Sequence, residues 1–288
     1  MRLTPDNANE DVEDRRNESG GSGFGGFGGG GGFGGVHLGI GGTIVLLILS
    51  FVFKTNLFSL FSGGDAPAHS VSAPDPARTA GEQPEAGFVG GVLKDVQNTW
   101  DKLLPQAGAS YRHAKLVMYR DATPSACGTA QTATGPFYCP EDEKVYLDLA
   151  FMDELRQRFG APGEFAQAYV IAHELGHHVQ KILGIEARMR RMQERSPGER
   201  NRLSVGLELQ ADCFAGVWGN AGEHRGIVEQ SDVPAGIRAA GAVGDDRLQK
   251  MATGHVSRES FTHGSSAQRV EAFRRGLDSG DPSVCIGK

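Results

Sequence analysis

Residues 164–183 of the chain read EFAQAYVIAHELGHHVQKIL, and the prediction of the fold starts from this stretch. The Pro-Gly pair at 162–163 before it and Gly184 after it predict one helix over these residues. Inside the predicted helix, residues 173–177 form the pattern H-E-x-x-H.

The H-E-x-x-H pattern points to a metal centre. One helical turn separates His173 from His177, so both imidazoles leave the same face and can bind one zinc ion. Glu174 then lies beside the open coordination position. The alternative reading is a pair of histidines on a helix surface.

A third zinc ligand is offered by E-L-Q-A-D at residues 208–212, which we expect in a later helix. Glu208 would complete a His, His, Glu set, and Asp212 one turn later could accept the outer N–H of a ligand histidine. A solvated acidic face is the alternative. The extended pattern with a third histidine is excluded, because Gln180 and Leu183 stand at those places. His178 points away from the motif's face and is not expected to be a ligand.

The rest of the folded part can be placed around this helix. Apolar residues between 89 and 104 recur with a 3.6-residue period, which predicts an amphipathic helix. Strands are predicted at 115–119 and 145–149, and a third helix around 200–218. This order indicates an α+β domain over residues 87–288.

The N-terminal part has a different composition. Of the 42 glycines, twelve fall within residues 20–35, and acidic residues dominate before them. We therefore expect residues 1–35 to be a disordered acidic and Gly-rich arm. About half of the net charge of −6 comes from the first nineteen residues. The remainder is near neutral, which argues against binding of nucleic acid through phosphate neutralisation.

An apolar run follows the glycines and predicts one transmembrane anchor over residues 36–61. A buried core helix and a cleavable signal peptide are the alternatives, and the long segment before the run disfavours the second. Residues 62–86 are rich in Pro, Ala and Ser, as in a linker. Arginines before the run favour an N-terminus inside the cell and a catalytic domain outside the cytoplasm.

Four cysteines without a C-x-x-C pair are compatible with two disulfides in an oxidising compartment. Cys127 with Cys139 is the preferred pair because the two are close in sequence, although four cysteines permit three connectivities. Four unpaired buried thiols remain the alternative.

Four segments together resemble the bacterial putative neutral zinc metallopeptidase family. They are HELGHH, ELQAD, GPFYCPEDEKVYLDLAF (135–151) and SFTHGSSAQR (260–269). The resemblance implies a zincin-like metallopeptidase domain anchored to the bacterial inner membrane, and with the single predicted span and its charge bias we expect this domain in the periplasm or otherwise outside the cytoplasm. It also implies His173, His177 and Glu208 as ligands of Zn²⁺, with Glu174 catalytic.

His263, Gly264 and Arg269 also resemble the H-P-x-x-x-x-R element of membrane-associated gluzincin peptidases, with glycine in the place of proline. We expect His263 to donate a hydrogen bond to the oxyanion formed during peptide hydrolysis, a structural or surface histidine being the alternative. The exposed edge of the strand at 145–149 is expected to pair with the backbone of a protein or peptide substrate.

The leading hypothesis is a membrane-anchored zinc endopeptidase in which Glu174 takes the proton of the attacking water. The alternative is a non-catalytic, zinc-stabilised envelope module that binds partners or acts like a chaperone. The intact Glu174 favours the enzyme, because a purely structural zinc site needs no general base.

Overall fold

The computed structural model of the chain describes residues 1–18 and 75–286. Strands and helices follow one another as expected for an α+β domain, which confirms the predicted class. The helices are α1 (Pro76–Gly81), α2 (Gln83–Leu103), α3 (Ala150–Gln157), α4 (Glu164–Ile182), α5 (Ile185–Arg195), α6 (Arg200–His224), α7 (Val233–Ala242), α8 (Asp245–Thr253), α9 (Ser266–Ser279) and α10 (Ser283–Ile286). The strands are β1 (Val12–Asp14), β2 (Lys115–Tyr119), β3 (Ala122–Ser125), β4 (Gly128–Gln131), β5 (Phe137–Cys139) and β6 (Lys144–Asp148).

The main sheet has four strands in the order β1-β2-β6-β5. Strands β1, β2 and β6 run parallel, and β5 pairs antiparallel with β6. The two predicted strands are therefore confirmed as β2 and β6, paired with Leu116 opposite Val145. Strands β3 and β4 form a separate two-stranded sheet.

The expected free edge of the strand at 145–149 is wrong for most of its length. Strand β6 pairs with β2 throughout, and β5 covers Lys144–Tyr146 on its other side, so only Leu147 and Asp148 lack a second partner among the described strands. Strand β5 was not predicted from the sequence because Phe137–Cys139 is only three residues long and has no alternating pattern of apolar and polar residues. The outer edge on this side of the sheet belongs to β5 instead.

The helices pack on one face of the sheet. Helix α2 confirms the predicted amphipathic helix, with its apolar face fully buried at Val89, Val92, Leu93, Val96 and Trp100. Helices α6 and α9 approach each other through glycines, because a Cβ atom at Gly276 would lie only 1.9 Å from the carbonyl oxygen of Cys213. This close approach sets the second half of α9 against the middle of α6.

The first 18 residues differ from the expected disordered arm. Strand β1 pairs with β2, and Arg16 is only 2% exposed. Three of the six acidic side chains in this segment form ion pairs with lysines of the folded domain. These pairs are Asp6 with Lys94, Asp11 with Lys115, and Glu13 with Lys144. Charge pairing across such a distance in sequence leaves no local pattern, so composition alone suggested disorder.

The expected linker also ends earlier than predicted. Residues 76–81 and 83–86 are helical, and their prolines, Pro76 and Pro84, stand in the first turns of α1 and α2. Proline is tolerated there because the first N–H groups of a helix have no partner within the helix. Residues 19–35 of the arm, the anchor at 36–61 and the linker up to 74 lie outside the described residues. None of the described helices is both long and apolar enough to cross a membrane.

Two disulfides close the domain. Cys127 is bonded to Cys139, which confirms the preferred pair, and Cys213 is bonded to Cys285. The second bond joins the middle of α6 to α10 near the end of the described chain.

Candidate active site

The H-E-x-x-H motif lies in the buried middle of α4, on the side that faces α6. His173 and Glu174 are 6% and 8% exposed. Gly176 allows the two helices to approach closely, because a Cβ atom there would lie 3.0 Å from the carbonyl oxygen of Ala211. Helix α6 is therefore near enough for one of its carboxylates to reach both imidazoles of the motif.

Glu208 on α6 supplies this carboxylate. Its Oε2 lies 3.2 Å from Nε2 of His173, and its Oε1 lies 3.6 Å from Nε2 of His177. One ligand atom from each of the three residues lies within 4.8 Å of the others. Burial raises the pKa of Glu208, but the charges of the neighbouring histidines outweigh burial and hold it well below its ordinary value. The three predicted zinc ligands thus converge, and their carboxylate is ionised.

The outer nitrogens of both histidines have their own partners. Nδ1 of His173 donates to Oδ1 of Asp212 at 2.9 Å, as expected from the spacing of E-x-x-x-D. Nδ1 of His177 donates to Oε1 of Gln180 at 2.9 Å, and Gln180 is fixed in turn by a bond to the carbonyl of Leu207. Because each Nδ1 is engaged, each Nε2 is left toward Glu208, the arrangement found in histidines that bind metals.

The proton on His173 is held tightly. Burial lowers the pKa of this imidazole, but the charge and hydrogen bond of Asp212, with the hydrogen bond of Glu208, raise it to about 10. A metal ion at Nε2 has to displace that proton, which couples metal binding to proton release.

Asp212 is the centre of a buried polar network behind the histidines. Its carboxylate accepts two bonds from the guanidinium of Arg269, at 2.8 and 2.9 Å, and a third from the hydroxyl of Tyr169. Burial raises the pKa of Asp212, whereas Arg269 and His173 lower it further than burial raises it. The network therefore keeps a negative charge directly behind His173.

Glu174 faces the cavity beside the three converging residues. Burial raises the pKa of its carboxyl above the ordinary value, and the charges of the two motif histidines only partly offset this. A carboxyl group whose pKa lies closer to neutrality is better suited to take up a proton and release it again.

His263 lies on the loop before α9 and also faces the cavity. Its Nδ1 is 3.2 Å from Oδ1 of Asp245, the first residue of α8. Oδ2 of Asp245 accepts hydrogen bonds from the backbone N–H groups of Thr262, His263 and Gly264, at 2.7, 2.7 and 3.0 Å. One carboxylate thus fixes both the loop and the imidazole that it carries.

The glycine after His263 has a conformational reason. Gly264 has a φ of 91°, which proline cannot adopt, so this loop cannot follow the H-P form of the gluzincin element. Burial lowers the pKa of His263, but Glu208 and Asp245 raise it above the ordinary value. The imidazole is therefore biased toward the protonated form that can donate toward the cavity.

Asp245 and Gln180 are the site residues whose roles sequence reasoning missed. Asp245 lies 18 residues before His263, and no spacing rule links the two positions. Gln180 stands three residues after His177 on the same helix, so helical spacing could have identified it as a partner of that imidazole.

His178 is placed away from the metal-binding face, as expected. Its Nε2 donates to the carbonyl of Arg112 at 2.7 Å, and its Nδ1 accepts from the hydroxyl of Tyr138 at 2.8 Å. Because Tyr138 belongs to β5, this histidine ties the edge strand to the active helix.

His173, Glu174, His177, Glu208 and His263 line one cavity of about 400 Å³. It is bounded by β5 and the loop before it, by the ends of α3 and α8, and by α4 and α6. The charged and imidazole side chains of its lining are His173, Glu174, His177, Glu186, Glu208, Asp245, His263 and Arg269.

Comparison with known proteins gives relatives over the whole chain. The sequence model of a family described as "Putative neutral zinc metallopeptidase" matches residues 1–287. The chain is 44% identical to YpfJ of Escherichia coli (strain K12), described as uncharacterized, over 290 residues that cover 99% of this chain and 98% of YpfJ. It is 39% identical to the uncharacterized protein Rv2575 of Mycobacterium tuberculosis (strain ATCC 25618 / H37Rv), over 66% of each chain. No solved structure matches the chain.

Proposed function

The chain belongs to the "Putative neutral zinc metallopeptidase" family, and we propose that it is a zinc-dependent endopeptidase with Glu174 as its general base. The observation that carries this proposal is the convergence of His173, His177 and Glu208, with Glu174 beside them in one cavity. The zincin-like character of the fold is part of the proposal.

The donor set suits zinc. Two imidazole nitrogens and one carboxylate are the ligand types of catalytic zinc sites that leave a position for water. The Nε2 atoms of both histidines already point to Glu208, and their Nδ1 atoms are engaged by other residues. Zinc held there would act as a Lewis acid on the peptide carbonyl and would make the attacking water more acidic.

The protein's own groups then move the protons. Glu174 accepts the proton of the attacking water and passes it to the amine that leaves when the peptide bond breaks. His263 donates to the oxygen on which negative charge develops. Asp245 acts through His263, because it holds the imidazole and the loop without itself touching the substrate.

We expect the backbone of the substrate to bind at β5 and not at β6, the strand predicted from the sequence for this role. Within residues 1–18 and 75–286, β5 pairs only with β6, and Phe137 and Tyr138 from this strand line the cavity. An extended peptide can add to such an edge by main-chain hydrogen bonds. A series of peptides with one N-methylated amide each tests this, because blocking a paired amide should lower kcat/KM.

We also propose that the domain works outside the cytoplasm and is attached to the inner membrane by residues 36–61. Two disulfides support an oxidising compartment. A single crossing, however, would put residues 1–18 and 75–286 on opposite sides, which is incompatible with the pairing of β1 with β2. We therefore infer that residues 36–61 attach the protein without a single crossing, so that residues 1–18 and 75–286 lie on the same side of the membrane.

The experiment for the catalytic role compares the wild type with Glu174→Gln and with Glu164→Gln, a matched control at the start of the same helix. Zinc content and cleavage of an unfolded protein such as casein are measured for each. We expect equal zinc in all three and a loss of about 10²–10⁴ in rate only for Glu174→Gln. A zinc-loaded wild type that cleaves nothing would instead favour the non-catalytic binding module.

A further inference from the structure

One side of the cavity is lined by apolar side chains that the proposed chemistry does not use. They form what we call the apolar wall: Phe151, Phe159, Val170, Val243 and Leu248. Val170 precedes Glu174 by four residues on α4, so it lies on the same helical face one turn, about 5.4 Å, away. The apolar wall therefore begins within one side chain's reach of the general base.

The apolar wall is built from several elements that hold one another in place. The rings of Phe151 and Phe159 pack with their centroids 6.3 Å apart. The carbonyl of Phe159 accepts a bond of 2.8 Å from the guanidinium of Arg247, which precedes Leu248 on α8. A pocket whose walls are fixed in this way binds a ligand without first paying the cost of ordering its own side chains.

The charges around the apolar wall discriminate among substrate side chains. Glu174, Glu186, Glu208 and Asp245 place four carboxyl groups in the same cavity. Among the lining residues that the structure describes, Arg269 is the one arginine or lysine, and its guanidinium is engaged by Asp212. An acidic substrate side chain beside the apolar wall would lose its hydration against apolar groups with no free arginine or lysine to pair with it, which is costly.

We propose that the apolar wall is a specificity pocket for a large apolar side chain, such as Leu, Ile, Met or Phe, in the substrate residue next to the cleaved bond. The inference rests on the proposed peptidase function and deepens it by naming the substrate class. Burial of such a side chain stabilises the bound peptide, whereas Asp or Glu at this position is rejected.

The test uses fluorogenic peptides that differ only at the residues flanking one cleavable bond, with Leu, Phe, Ala or Asp in turn. The wild type should cleave the Leu or Phe peptides with a kcat/KM at least about tenfold above the Asp peptide. Leu248→Ala is the principal variant, because Leu248 is only half-buried and its truncation leaves the core intact. Met251→Ala is the matched control, since Met251 lies three residues later on α8 and is 44% exposed.

The expected result is a loss of about tenfold in kcat/KM for the Leu and Phe peptides with Leu248→Ala, and little change for the Ala peptide. Met251→Ala should behave as the wild type. A second variant, Leu248→Lys, should shift the preference toward the Asp peptide by supplying the missing cation.

Two outcomes would overturn the inference, and they are distinguishable. Cleavage of Asp and Leu peptides at equal rates, or an equal loss for every peptide with Leu248→Ala, would remove the specificity pocket and leave the peptidase function standing. A wild type that contains zinc but cleaves none of the peptides and no casein would remove both.

Discussion

Asp212 lies behind His173, with its Oδ1 atom 2.9 Å from Nδ1 of the imidazole and one helical turn after Glu208. Residues 208–212 of α6 therefore provide two carboxylates to His173. Glu208 faces its Nε2 atom, and Asp212 faces its Nδ1 atom. The second carboxylate also holds Arg269, so that α4, α6 and α9 meet at one buried charge cluster.

Replacing Asp212 should weaken metal binding. Asp212→Asn keeps the size of the side chain but removes the charge that orients His173, and we expect zinc affinity to fall about 10- to 100-fold. Competition with a zinc chelator of known affinity measures the change. Glu223→Gln, near the end of the same helix, is the control and should bind zinc as the wild type does. Unchanged affinity in Asp212→Asn would show that the bond to His173 is not part of the metal site.

His263 and Asp245 should affect turnover without affecting zinc content. We expect His263→Ala to lower kcat about 100-fold, as loss of an oxyanion donor does. Asp245→Asn should lower kcat less and move the alkaline limb of its pH profile to lower pH. The limb moves in this direction because the Asp245 carboxylate raises the pKa of His263. Without that carboxylate the imidazole loses its proton at lower pH. Asp278→Asn, at an exposed position on α9, is the control. An unchanged limb would contradict the role of this pair.

The N-terminal strand should contribute to stability. Arg16 is buried between Asp14 and Glu82, and Arg16→Ala should lower the free energy of unfolding by about 2–4 kcal/mol, because Asp14 loses its ion-pair partner and the buried guanidinium's hydrogen bonds are lost. Arg2→Ala is a matched control, since the Arg2 side chain is 78% exposed and its ion pair with Glu229 should be worth less than about 1 kcal/mol. Urea unfolding of the full chain in detergent measures both. Equal effects would mean that residues 1–18 do not pack as described.

The two flanks of the apolar run should label from the same side of the membrane. Ala8→Cys and Val256→Cys each introduce one exposed thiol, the first before residues 36–61 and the second in the folded domain after them. In intact cells, a maleimide that cannot cross the inner membrane should modify both. Modification of one thiol alone would contradict the pairing of β1 with β2. Modification of neither would place both flanks in the cytoplasm and overturn the proposed localisation.

Most residues of the candidate site could be predicted from local sequence patterns. The helix of the motif runs over Glu164–Ile182, one residue short of the predicted end, and Gly184 follows with a positive φ of 66°. The spacing of Glu208 and Asp212 is also local, so helical geometry sufficed to place them on one face. These predictions needed only neighbours within one or two turns.

Relationships between distant segments could not be predicted in the same way. Strand β1 has three residues, two of them acidic, and is stabilised by pairing with β2 about a hundred positions later. Asp245 reaches His263 only because α8 and the loop before α9 fold against each other. Neither contact leaves a periodic signal, and both depend on tertiary packing.

We expect one zinc ion at His173, His177 and Glu208 to be required for peptide cleavage. The most direct measurement removes metal from the full chain with a chelator, adds zinc back in steps, and follows bound zinc and cleavage rate together for the wild type and Glu174→Gln. We predict that both quantities rise in the wild type and saturate at one zinc per chain. Glu174→Gln should bind one zinc with almost no cleavage. Cleavage by the metal-free wild type, or equal cleavage by zinc-loaded wild type and variant, would contradict the account.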